Sequence, residues 1–125
     1  MNKQLLELQK VIKYQFADIN LLKQAIMHTF YVNEKQFPKH QSNERLEFLG
    51  DAVLELISSE FLFGKYNTMP EGELTKNRAS VVCEQSLAFC AREIHLGDYL
   101  LLGKGEEATG GRNRDSIISD ALEAL

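Results

Sequence analysis

Basic residues are in short supply in this chain. Fourteen Lys and Arg face eighteen Asp and Glu, a formal net charge of −4 with a pI near 5.4. Taken alone, that balance argues against a nucleic-acid partner, whose phosphates select basic surface. Long apolar runs are missing as well. Nothing approaches the ~20 consecutive apolar residues of a membrane span. The start, Met1-Asn2-Lys3-Gln4, leads into no secretory signal. No membrane partner is expected, and the cytoplasm is the expected location. Only Cys83 and Cys90 are cysteines. On one helix that spacing puts them on one face about 10 Å apart, too far to bridge, and both are expected as small buried apolar side chains. Further zinc ligands are not nearby. β-branched residues are sparse and period-2 alternation is absent, so no strand is expected. No repeat or low-complexity tract is present.

What remains is helix-forming sequence. The 125 residues, 44% hydrophobic and 26% charged, suit one soluble globular domain that buries roughly two thirds of its unfolded surface without staples. Leu5, Leu6, Leu8, Val11 and Ile12 give segment 3–14 a helical apolar face. Asp18 or Asn20 can cap a second helix running through Leu21, Leu22, Ala25 and Ile26 to His28. Residues 30–42 are polar, contain Pro38 and read as a loop. Asn43 is placed to cap a long central helix ending near Tyr66. Inside it, Gly50 costs about 1 kcal/mol against Ala and would permit close approach by another helix or chain. Helices are expected over 73–82 and over 84–94, the latter with Leu87, Ala88, Ala91 and Ile94 inward. His95 to Asp98 reads as a turn. Residues 103–112 hold four of the eight glycines and read as a flexible connection with one helical turn at Glu106-Glu107. The last helix begins between Asn113 and Ser116 and runs to the end.

Chemistry concentrates in the long helix. At about 100° per residue, Glu44, Glu47 and Asp51 fall within roughly 60° of one another. Leu46, Leu49, Val53, Leu56 and Ile57 lie opposite and are expected to pack into the core. Three acids on one side of a core helix repel each other, and such a stripe persists where a cation sits. Oxygen-only ligands suit Mg²⁺, with Mn²⁺ as a substitute, and not zinc. Glu55 extends the stripe by a turn and is expected to be solvated. A second acid pair, Asp120 and Glu123, shares a face of the last helix. Either pair alone means nothing, but together they can supply four carboxylates to a two-metal site. No histidine is assigned as a general base, since His28, His40 and His95 are scattered.

The run Asn43-Glu44-Arg45-Leu46-Glu47-Phe48-Leu49-Gly50-Asp51-Ala52-Val53-Leu54 resembles the signature of the ribonuclease III endonuclease domain. Three further blocks are similar to that family: Gly72 to Ala79 followed by Val82 to Ala88; Leu102 to Glu107 with Gly110-Gly111-Arg112; and Ser116-Ile117 with Asp120-Ala121 and Glu123-Ala124-Leu125. The resemblance covers nearly the whole chain. It departs at His28-Thr29-Phe30-Tyr31, where the family usually has His-Arg/Lys-Ser.

The resemblance implies an all-α fold, a helical bundle around the long central helix, forming a homodimer. It implies an endonuclease that hydrolyses double-stranded RNA with two divalent metals, leaving 5′-phosphate and 3′-hydroxyl ends, in processing of ribosomal or messenger RNA. Glu47, Asp51, Asp120 and Glu123 match the metal-holding acids, Glu44 the acid beside them, and Glu71 one thought to assist from nearby or across the dimer. Phe48 matches an aromatic packed into the partner subunit, and Gly50 would permit that approach. Lys76, Arg78 and Arg112 are candidate RNA contacts, with Lys104 and Arg114 also near in sequence; Arg78 could instead pair with a carboxylate. No organic cofactor is implied. Residues 1–125 are expected to form one nuclease domain whose last helix continues beyond Leu125, without the family's RNA-binding domain. Two other readings use the same residues: a catalytically silent RNA-bound relative, and an interaction bundle with a fortuitous acid face.

Overall fold

The computed structural model describes residues 3–125. Every regular element among them is helical: α1 (Lys3–Ile12), α2 (Ile19–Ala25), α3 (Thr29–Glu34), α4 (Glu44–Lys65), α5 (Glu71–Val82), α6 (Glu84–Glu93), α7 (Lys104–Ala108) and α8 (Asp115–Ala124). Short 3-10 turns cover Lys39–Gln41, Leu96–Tyr99 and Gly111–Asn113. The all-α expectation holds, and among the described residues no helix is long and apolar enough to cross a membrane.

Helix starts follow local chemistry in part. Asp18 caps α2 by accepting a hydrogen bond from the Asn20 N–H at 3.0 Å. Asn43 precedes α4 but does not cap it with its side chain. It is buried, and its Nδ2 donates to the Ala25 carbonyl at 3.1 Å. The Ser42 hydroxyl instead accepts from the Glu44 N–H at 3.4 Å. The polar stretch read as a loop holds α3, because His28 accepts from the Phe30 N–H at its start and Val32 is fully buried. The glycine-rich connection is likewise ordered into α7 and a 3-10 turn, with Gly103 and Gly111 buried.

The core is built by α1, α2, α6, α8 and the segment 96–102. Leu5, Leu8, Leu22, Ile26, Ala88, Ala91, Leu96, Leu100, Leu102, Ile117, Ile118 and Ala121 form one buried cluster. Helix α8 lies against both α4 and α6, and small residues on α6 let it come near. A single parallel bridge joins Met27 to Leu101. There the Leu101 N–H donates to the Ile26 carbonyl at 2.9 Å and the His28 N–H to the Leu101 carbonyl at 3.0 Å.

The long helix turns the opposite way from the sequence expectation. Leu49, Val53, Leu56 and Ile57 are exposed, Leu56 at 68%. Of the half-buried positions, Glu47, Gly50, Leu54 and Ser58 span an arc about 80° wide on the helical wheel, with Leu46 and Ser59 outside it. That arc faces α8, so the acid-bearing side meets the rest of the chain; the leucine side stays largely exposed, with Leu49 and Val53 edging a hollow beside Leu21 and Leu122 and Leu56 one beside Leu74. Periodicity marks two faces but cannot say which one the fold covers. The cysteines depart from expectation too. Cys83 lies at the extended break between α5 and α6, half-buried, and shares a hydrogen bond with Ser86 Oγ; Cys90 is exposed.

Gly50 explains how α4 and α8 come so close. A Cβ there would stand 1.6 Å from the Glu123 carbonyl oxygen, a backbone atom that cannot swing aside. Gly50→Ala would gain about 1 kcal/mol of helix propensity, but the clash should cost more, leaving a net loss of about 1–3 kcal/mol. Urea unfolding of the two proteins checks this; an Ala variant as stable as the parent would refute the contact.

Candidate metal centre

Two helices supply the acids. On α4, Glu47 sits within the arc that faces α8, with Asp51 and Glu44 exposed just beyond one edge of it. On α8, Ile117, Ile118 and Ala121 face the core, which leaves Asp120 and Glu123 half-buried toward α4. The Gly50–Glu123 approach therefore brings together two pairs of carboxylates about 70 positions apart in the chain.

Their mutual influence is large. The Glu47 carboxyl is pushed up from its ordinary 4.5 to about 7, first by burial and then by the charges of Asp120, Glu123 and Glu44. Glu123 is pushed up from 4.5 to about 7, again by burial and then by Asp51 and Asp120. Asp120 is also raised, chiefly by burial, while its hydrogen bond with Glu47 and the nearby His28 act to lower it. The hydrogen bond thus favours the proton on Glu47 and the charge on Asp120. A shared proton is one way to relieve such repulsion; a divalent cation is the other.

The donors are all carboxylate oxygens, which fit Mg²⁺ or Mn²⁺ by chemistry. As placed, no three His, Cys, Asp or Glu side chains among the described residues stand close enough to hold a metal ion. The fit therefore rests on donor type and on electrostatic convergence, and a closed shell requires the side chains to turn onto one ion.

Glu44 stands at the rim, where Thr29 Oγ1 donates to its Oε1 at 2.8 Å. Glu71 is not brought to this place. It begins α5 and lines a different hollow, with Glu60, Leu62 and Phe63 of the C-terminal half of α4. Phe48 is 82% exposed on the outer side of α4. Gly50, read as a site for another chain, is filled by the chain's own α8. Glu55 is exposed, as expected.

The basic candidates separate. Lys76 and Lys104 are exposed. Arg78 donates to Ser59 Oγ at 3.0 Å, a hydroxyl and not the carboxylate considered for it. Arg112 is committed to the backbone: Nη1 donates to the Leu100 carbonyl at 2.7 Å and to Gly97 at 3.1 Å, and Nε to Glu107 Oε1 at 3.2 Å. These bonds give Arg112 a structural role whatever else it touches. Arg114 donates to Thr109 and acts electrostatically on His28.

His28 is the residue that reading the sequence missed. Its half-buried ring lies within electrostatic reach of Glu106, Asp120 and Glu44, yet burial is the largest effect and lowers its pKa. Nδ1 accepts from the Phe30 N–H at 3.2 Å, so the ring proton of the neutral form belongs on Nε2. Nothing local could have shown this, since its acidic neighbours are 16 to 92 residues away in sequence.

An all-helical domain with a carboxylate cluster between two helices is the class that fold and site define. The chain belongs to the Ribonuclease-III-like family, whose match spans residues 18–125. It is 56% identical over 119 residues to ribonuclease 3 of Enterococcus faecalis, covering 95% of this chain and 52% of that protein. It is 54% identical over 123 residues to ribonuclease 3 of Bacillus velezensis, covering 98% and 49%. The chain thus spans about half the length of these curated relatives. The nuclease domain of ribonuclease III from Campylobacter jejuni superimposes with a TM-score of 0.87 at 46% identity, covering 98% of this chain and 80% of that one. A second structure of that domain, described for flexibility in a region involved in dimer formation, gives 0.86 at 47% identity and covers 94% and 78%.

The raised carboxyls set a direction for stability. Glu47 and Glu123 lose their protons near 4.5 when unfolded and near 7 when folded. Between those values the folded state binds more protons, so stability falls as pH rises. Their contribution is full below 4.5 and is lost as pH climbs through about 7. Without divalent cations, the melting temperature of the parent protein minus that of the Glu47→Gln/Glu123→Gln variant should fall from pH 5 to pH 8. A flat or rising difference would refute these assignments.

Proposed function

We propose that the domain is the catalytic part of an endoribonuclease that hydrolyses double-stranded RNA with divalent metals, leaving 5′-phosphate and 3′-hydroxyl ends. The observation that carries this is the convergence of Glu47, Asp51, Asp120 and Glu123 from α4 and α8, with two of these carboxyls raised to about 7, in a chain of the Ribonuclease-III-like family. Those four residues would hold the ions, Mg²⁺ by preference. Bound cations would supply an activated water and neutralise charge at the scissile phosphate. The chain's own contribution is position. Two helices locked together at Gly50 present the acids in a fixed spacing. Half-burial of Glu47, Asp120 and Glu123 limits the solvation of their charge by bulk water, so a cation competes well for them. His28, held neutral by burial, adds no positive charge against the cations. Double-stranded RNA is read through shape, phosphates and 2′-hydroxyls, so cations on the acid cluster and exposed residues such as Lys76 suffice despite the net charge of −4.

A homodimer in the cytoplasm completes the proposal. Two strands cut at one locus call for two sites related by a two-fold axis. The outward face of α4, with Phe48 at 82% exposure alongside exposed Leu49, Val53, Leu56 and Ile57, groups large apolar side chains in water, as surfaces that meet another protein do. Maturation of ribosomal and messenger RNA is the process such an activity would serve.

Asp51→Asn and Glu123→Gln should each lower Mg²⁺-dependent cleavage of a long RNA duplex by at least about 100-fold, with circular dichroism unchanged. Cleavage above a few per cent of the parent rate in both variants would end the four-acid assignment. Phe48→Asp should weaken dimerisation by about 2 kcal/mol or more, roughly thirtyfold in the dimer dissociation constant. Sedimentation equilibrium measures it, and an unchanged dimer would show that Phe48 anchors no interface.

A further inference from the structure

We infer that Thr29 is a positioning residue for the acid cluster, acting through Glu44; this rests on the metal-centre reading above. Thr29 Oγ1 donates to Glu44 Oε1 at 2.8 Å across fifteen residues of chain. Both backbones are fixed independently of that bond. On one side, the His28 N–H donates to the Leu101 carbonyl at 3.0 Å, the His28 ring caps the start of α3, and Val32 one turn later is fully buried. On the other, the buried Asn43 donates its N–H to the Met27 carbonyl at 2.8 Å and its Nδ2 to Ala25 at 3.1 Å, fixing where α4 begins. The segment 25–29 is therefore the ledge on which the first turn of α4 rests, and the Thr29 hydroxyl ties that ledge to an acid of α4 by a hydrogen bond.

The consequence is directional. A glutamate at the rim of a helix start has several open rotamers, most of them pointing to solvent. A donor on Oε1 selects the rotamer that keeps Glu44 beside Glu47, where its charge is felt by both Glu47 and His28. It also leaves Oε2 free to accept a hydrogen bond from a metal-bound water or to bind the ion directly. Thr29 touches neither metal nor RNA in this scheme. The hydroxyl is the part of the side chain that matters, and its methyl group is dispensable.

The test uses the whole chain with Thr29→Val, which keeps the shape and removes the donor, and Thr29→Ser, which keeps the donor. Mn²⁺ binding is read by electron paramagnetic resonance without RNA, and single-turnover cleavage of an RNA duplex is read against Mg²⁺ concentration. Thr29→Val should weaken Mn²⁺ binding and lower cleavage at subsaturating Mg²⁺ by about three- to tenfold, with melting temperature and duplex affinity unchanged. Thr29→Ser should stay within about twofold of the parent on both readouts. In a Glu44→Gln background, Thr29→Val should add little, because the two residues act as one unit. Parent-like behaviour of Thr29→Val, a Ser variant as impaired as the Val variant, or full additivity with Glu44→Gln would each overturn the inference alone. A parent protein that neither binds Mn²⁺ nor cleaves RNA would overturn the metal-centre reading itself, and this inference with it.

Discussion

The contact between Gly50 of α4 and the Glu123 backbone of α8 is the constraint on which the site depends. No Cβ fits there, so the two helices can approach to backbone distance only because residue 50 has no side chain. That approach sets the distance between Glu47 and Asp51 on one helix and Asp120 and Glu123 on the other. It also explains why Glu47, Asp120 and Glu123 are half-buried and desolvated between the two helices, while Asp51 stays exposed. The raised pKa values of Glu47 and Glu123 are the electrostatic record of that geometry.

A second set of interactions carries position from the core to the rim. The core proper is made by α1, α2, α6 and α8, and α4 touches it mainly through α8. Backbone hydrogen bonds between Ile26, His28 and Leu101, and between Met27 and Asn43, tie the start of α4 to the same core by a separate route. Arg112, with its guanidinium on the Leu100 and Gly97 carbonyls, steadies the segment that the first of these bridges uses. The acids at the N-terminal end of α4 are therefore held from two directions, which is what a site needing placement within about half an ångström requires.

The rest of α4 is held far less. From Leu49 to Phe63 its outer side is apolar and exposed, and α5 covers only part of its C-terminal half. A helix with acids toward its own chain and leucines toward solvent reverses the usual arrangement of an amphipathic surface helix. The reversal makes sense if the two sides serve different ends: the inner side assembles a charged site, and the outer side buries itself against a second copy of the chain. Glu71, distant from the acids within one chain, lies at the end of α4 where such a copy could bring it to bear.

Much of the local architecture was legible in the residues themselves. The helices from α4 to α6, the Asp18 cap and the acid stripe follow from 3.6-residue periodicity and short-range capping, which act over about four residues. The identity of the acids fixed the kind of ion they suit. What the residues alone could not decide was which side of α4 turns inward, since both are strongly patterned and the choice depends on α8, some 70 residues later. For the same reason His28 reads as one of three scattered histidines, and the stretch holding α3 reads as a loop. In each case the deciding partner is far along the chain, and only packing in three dimensions brings it into contact.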